Sequence, residues 1–176
     1  DKVYSPAFEL AWWRFGLDTA QRWRERQGLA RNPTWETVLQ GLAPLPVQDG
    51  VYLLEEHLPD SYIKWNHNHP SVAGVYGILP GGGVDRGIMK NTLDKIMACW
   101  RWPETWGWDF PMLAMTAARL GEPERAIDLL LHANFGFDER GYPIGGGPWP
   151  YLPSSGGLLY AVAFMAGGWD GAPAGN

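Results

Sequence analysis

The segment FPMLAMTAARLGEPERAIDLLLH, residues 110–132, reads as a helical hairpin. Phe110 to Leu120 forms one predicted helix and Glu124 to His132 the next. Between them, Gly121-Glu122-Pro123 is a compact connector: Gly ends a helix in the left-handed conformation, and Pro, with no backbone N–H to lose, starts one. Upstream, Phe8, Trp12, Phe15, Thr19 and Trp23 recur every three or four residues. They predict an amphipathic helix opened by Ser5-Pro6, with Ser5 as N-cap, and closed at Gly28. Asn32-Pro33 caps a shorter helix, Thr34 to Leu42, with Trp35, Val38, Leu39 and Leu42 on one side and Pro44 and Pro46 beyond it. Pro70 opens an apolar helix through Tyr76 to Leu79, ended by Pro80-Gly81-Gly82-Gly83. Val84 to Trp100 carries Ile88, Leu93, Ile96 and Met97 on one face, and Gly156 to Ala166 is a last helix. Only Gln48 to Glu56, with Val51-Tyr52-Leu53-Leu54, offers a short extended piece.

The expectation is an all-α fold of about seven helices in one domain, spanning residues 1–176, with short and long connections alternating. The long ones (Ser61 to His69, Arg101 to Asp109, Phe135 to Pro153) are polar and aromatic and fall at every second junction. In a toroid of helical hairpins such junctions share one end of the barrel, and function sits on loops held by a rigid scaffold. A compact helical bundle with ordinary loops is the alternative.

Composition narrows the chemistry. With 45% apolar and 19% charged residues, the chain has an ordinary globular balance. A net charge of -5 excludes a nucleic-acid partner by the usual electrostatic route, and Arg22, Arg24 and Arg26, interrupted by Glu25, read as a solvated helix face. No apolar run is long enough for a membrane helix; the longest, Gly156 to Gly168, reads as buried. Cys99, the one cysteine, leaves no internal disulfide or cysteine zinc site and is expected in the core. Eleven tryptophans are the unusual count: a flat apolar face with one N–H donor suits stacking on a sugar ring, and equally suits a helical core. The ends, Asp1-Lys2-Val3-Tyr4 and Gly171 to Asn176, without initiator Met or signal-peptide pattern, are expected to be those of a fragment.

Trp100-Arg101-Trp102-Pro103-Glu104-Thr105-Trp106-Gly107-Trp108-Asp109 sets four tryptophans beside two carboxylates. Glycoside hydrolysis needs two carboxyl groups flanking the scissile bond, and aromatic platforms hold the sugar. Asp109, Glu104 and Glu9 are therefore the candidate catalytic residues. Each has a second reading: Asp109 as N-cap of the following helix, Glu104 as a solvated carboxylate, and Glu9 as a charge at a helix start rather than an acid among Phe8 and Trp12. Trp102, Trp106 and Trp108 are candidate platforms. Asn66, His67 and His69, from Asn66-His67-Asn68-His69-Pro70, are candidate hydrogen-bonding groups for sugar hydroxyls, as is Ser155 at the Ser154-Ser155-Gly156-Gly157 helix start. His-x-His has no third ligand at a useful spacing, so no metal and no other cofactor is expected. Gly145-Gly146-Gly147 reads as a flexible loop.

Phe8-Glu9-Leu10-Ala11-Trp12-Trp13-Arg14, His69-Pro70-Ser71 through Leu79-Pro80-Gly81, Gly107-Trp108-Asp109, and Ala118-Arg119-Leu120-Gly121 with Glu124-Arg125-Ala126 together resemble bacterial six-hairpin, or (α/α)6, glycoside hydrolases. Within that group it is similar to inverting alpha-L-fucosidases and to the clan that includes disaccharide phosphorylases. The resemblance implies the C-terminal part of a catalytic barrel in carbohydrate metabolism, with a glycan or glycoside as substrate and an exported location. One stretch departs from it: the fucosidase type carries an acid just before the last glycine-rich helix start, whereas this chain reads Leu152-Pro153-Ser154-Ser155-Gly156-Gly157. Because half a barrel lacks neighbours for its apolar helix faces, self-association to complete the ring, or a non-catalytic carbohydrate-binding or scaffold role, is the competing expectation.

Overall fold

The computed structural model describes residues 3–172; residues 1–2 and 173–176, at the ends read above as cut, lie outside the described residues. The fold is all-α. Its helices are α1 (Ala7–Arg26), α2 (Pro33–Gly41), α3 (Ser71–Gly74), α4 (Arg86–Cys99), α5 (Asp109–Leu120), α6 (Pro123–Leu130) and α7 (Pro153–Gly167). The extended piece expected near Val51 is a minimal hairpin of β1 (Val47–Gln48) and β2 (Val51–Tyr52), antiparallel, with Val47 opposite Tyr52.

The hairpin read first from the sequence is the centre of the molecule. Ten of the twelve residues of α5 are buried, which is how a helix apolar nearly all round is stabilised. Gly121 closes it at φ 82°, and Pro123 starts α6 immediately after. Helices α3, α4, α6 and α7 all pack against α5. The segment that follows α3 approaches it closely: a side-chain carbon added at Gly77 would stand 2.9 Å from the backbone nitrogen of Thr116. The Thr116 hydroxyl donates across the same seam to the Ala73 carbonyl at 2.9 Å. On α4, the Thr92 hydroxyl accepts from the Tyr52 backbone N–H at 2.9 Å and so fastens the small hairpin to the helix. Cys99 is half-buried beside the core.

Four element readings are corrected. Ser5 does not cap α1; Pro6 holds the N-cap position without a side-chain bond, and Ser5 itself adopts φ 46°. The aromatic stripe of α1 is not its buried face: Ala7, Ala11 and Gln21 are buried, while Trp12, Phe15 and Trp23 are 40–61% exposed. Small residues allow the close approach to α3, and the Gln21 amide brackets Asn32, donating to its carbonyl and accepting from its N–H, both at 2.8 Å. The predicted helix from Pro70 to Leu79 shrinks to the single turn of α3, because Gly74 and Gly77 pass close to Met112 and Thr116 and the chain continues in tighter turns. Finally, α7 begins at Pro153, which supplies the first helical position ahead of Gly156, and it exposes Leu159, Tyr160 and Val162. Among the described residues no helix is long and apolar enough to cross a membrane.

Candidate functional site

The three long connections meet. The Arg101 N–H donates to the Asn66 carbonyl at 2.9 Å, and the Gly107 N–H donates to the Gly146 carbonyl at 2.8 Å. Trp106 stands edge-on to Tyr151, ring centres 5.0 Å apart. This seam explains its glycines. A side chain at Gly107 would collide with Ser154, and one at Gly146 would collide with the Gly107 backbone. The Gly145-Gly146-Gly147 stretch is therefore a packed ribbon, where the sequence reads as a flexible loop.

At the centre of the junction lies Asp109, the first residue of α5, with no exposed surface. It does not cap the helix. Trp108 holds the N-cap position, and the carboxylate turns back to accept the Trp106 N–H through Oδ2 at 2.9 Å. Its Oδ1 lies 2.9 Å from His69 Nδ1. Trp108 Nε1 also lies 3.1 Å from that nitrogen. One ring nitrogen cannot donate to Asp109 and accept from Trp108 at once, and the charge-assisted bond to the carboxylate is the stronger. The Nδ1 proton is accordingly assigned to the Asp109 side. Among the described residues His69 Nε2 has no hydrogen-bond partner, and it is not one of the buried unpaired atoms, on a side chain 40% exposed.

The ionisations of the two groups are linked. The hydrogen bond to Asp109 holds the His69 imidazolium to higher pH than usual, against the opposing effect of burial. Burial pushes the Asp109 carboxyl up, opposed by His69 and by the Trp106 N–H. The tryptophans flank the imidazole: Trp106 at 5.4 Å and Trp108 at 5.3 Å between ring centres. Trp106 is 39% exposed. Trp108 continues into a mainly apolar cavity of about 280 Å³, lined also by Ile78, Met112, Tyr151 and Tyr160.

The remaining candidates separate from this cluster. Asp109 is buried, so its carboxylate meets only protein groups, His69 and the Trp106 N–H. Glu104 is exposed and paired with Arg101 at 3.1 Å. Glu9 is exposed on α1 beside Trp12 and Trp13, not enclosed by aromatics, and no hydrogen bond or ion pair joins it to His69 or Asp109. Trp102 packs onto Phe110 and His132 at 5.7 and 5.4 Å, as a support under the loop rather than a platform. Trp100, buried, donates its indole N–H to the Asn68 carbonyl at 2.8 Å. Asn66 spends its amide on the Cys99 carbonyl and the Arg101 guanidinium. His67 stacks on Trp65 and meets Arg101 through Nδ1 at 2.6 Å, so His67 and His69 serve different partners. At the start of α7 the N–H groups of Ser154, Ser155 and Gly156 are taken by the Tyr151 and Leu152 carbonyls, so the backbone there does not offer them to an anion or a sugar hydroxyl.

Sequence reasoning missed Tyr151. It joins the cluster only because the 145–147 ribbon folds against Gly107, a long-range contact with no local periodicity to announce it. No family model, curated protein or solved structure matches the chain.

Proposed function

We propose that the chain is part of a helical-hairpin glycoside hydrolase of the (α/α)6 toroid type, and that the surface around Trp106, Trp108 and His69 binds its sugar. The observation that carries this reading is the pairing of two indoles against one imidazole at 5.4 and 5.3 Å, with a buried carboxylate behind it. Aromatic faces stack on the C–H face of a pyranose, while a fixed polar group reads its hydroxyls. The convergence of the long connections also supports the reading, since a barrel of hairpins gathers those connections at one mouth.

A second reading, a carbohydrate-binding or scaffold protein without turnover, is favoured by one specific observation. Asp109 is the only carboxylate in the cluster among the described residues, and Glu104 and Glu9 make their contacts elsewhere. Carboxylate chemistry at this site then needs a partner acid from outside the cluster. Hydrolysis of a panel of p-nitrophenyl glycosides, run beside calorimetric titration with oligosaccharides, separates the two. Turnover lost in Trp106→Ala supports the hydrolase, binding without turnover supports the second reading, and neither binding nor turnover removes both.

A further inference from the structure

We infer that His69 is the proton-accepting group of this site, presenting Nε2 to the ligand, and that Asp109 is a positioning residue that fixes the imidazole for that task. The inference rests on the sugar-site reading above, and it assigns the working atom to a residue that the carboxylate account leaves as a hydrogen-bonding accessory.

Geometry carries the argument. Asp109 has no exposed surface, and its two oxygens are spoken for, Oδ1 by His69 Nδ1 and Oδ2 by the Trp106 N–H. It is thereby barred from substrate. Fixed on the carboxylate through Nδ1, the imidazole leaves Nε2, among the described residues, as its one nitrogen without a hydrogen-bond partner, on a side chain 40% exposed whose ring centre lies 5.4 and 5.3 Å from those of Trp106 and Trp108. A proton held on Nδ1 obliges the neutral ring to carry its lone pair on Nε2. That lone pair accepts the proton of a water as the water oxygen bonds to the anomeric carbon: the O–H bond breaks, the N–H bond forms, the glycosidic bond breaks with its electron pair leaving on the departing oxygen, which takes a proton from solvent, and the resulting imidazolium is balanced by the Asp109 carboxylate 2.9 Å away. Titratable neighbours on the packed elements are few. Asp109 comes from α5, and Tyr151, whose phenol is pushed up by burial and by Asp109, comes from the loop before α7. Arg101 is engaged with Glu104, Asn66 and His67.

The test uses the full 15N-labelled chain, with the His69 signals assigned among four histidines by their loss in His69→Gln. Imidazole nitrogen shifts are followed against pH in wild type and in Asp109→Asn. The expected result is a neutral ring protonated at Nδ1, and a midpoint that falls in Asp109→Asn, because the hydrogen bond that holds the imidazolium is weakened. An unchanged midpoint, or a neutral ring protonated at Nε2 in wild type, overturns the inference. For any p-nitrophenyl glycoside that is turned over, the acidic limb of kcat/KM follows the His69 midpoint and moves with it in Asp109→Asn; a limb that stays in place also overturns the inference. Should no glycoside be bound or cleaved, the sugar reading fails by itself, because the nitrogen shifts judge the dyad without a ligand.

Discussion

The carboxylate of Asp109 and the imidazole of His69 make the fold sensitive to pH in one direction. His69 titrates at higher pH folded than unfolded, so its contribution is full below the unfolded value near 6.5 and is lost as pH rises through the folded value. Asp109, also raised, has the same sign. The stability of wild type against urea is therefore expected to fall from pH 6 to pH 8 more than that of His69→Gln; parallel behaviour of the two proteins would refute the linkage. Truncation is harsher than isosteric change. Asp109→Ala strands the Trp106 N–H and the imidazole, at a cost of about 2–3 kcal/mol, whereas Asp109→Asn keeps an acceptor for Trp106 and costs less. Equal losses in the two variants would contradict the bonding described. The sequence placed Trp106, Trp108, His69 and Asp109 together as candidates because of their residue types. It could not show that Asp109 is buried or that Trp102 is a support, since both depend on packing against residues distant along the chain.

Helix boundaries were most legible where a side chain or a glycine sets them chemically. Asn32 caps α2 by accepting from the N–H groups of Thr34 and Trp35 at 3.0 and 3.1 Å, as its position before Pro33 predicts. Asn32→Ala is expected to cost about 1 kcal/mol in thermal or chemical unfolding, and no change would remove the cap from the account. Elements set by tertiary fit were less legible. The apolar run after Pro70 has helical composition, yet Gly77 must pass against the backbone of Thr116, and the turn that permits this leaves only a short α3. Gly77→Ala forces a carbon to 2.9 Å from that nitrogen and is expected to destabilise by about 1–3 kcal/mol. A neutral effect in chemical denaturation would mean the seam is looser than described.

The chain leaves apolar surface on both of its long outer helices. Trp13 and Trp23 on α1 are each 61% exposed, and Leu159 on α7 is 71% exposed. A helix apolar on every side, like α7, belongs in an interior, and a contiguous exposed apolar face promotes association. Light scattering at micromolar concentration is expected to give a mass above 19.6 kDa, reduced in a Trp13→Ser, Trp23→Ser variant; a monodisperse monomer would argue against it. The alternating connections foretold that the long loops would gather, and they do. Which helix faces lie uncovered was not foretold, because periodicity identifies an apolar face without saying what covers it. The role proposed for the gathered loops requires that they hold a sugar. Calorimetric titration of wild type and Trp106→Ala with a panel of xylo-, malto-, cello- and fucosyl-oligosaccharides tests this directly. Saturable binding of at least one of them, weakened about tenfold by the loss of one stacking face, is the result predicted. Heats no greater than dilution across the panel, or binding untouched by Trp106→Ala, would contradict it.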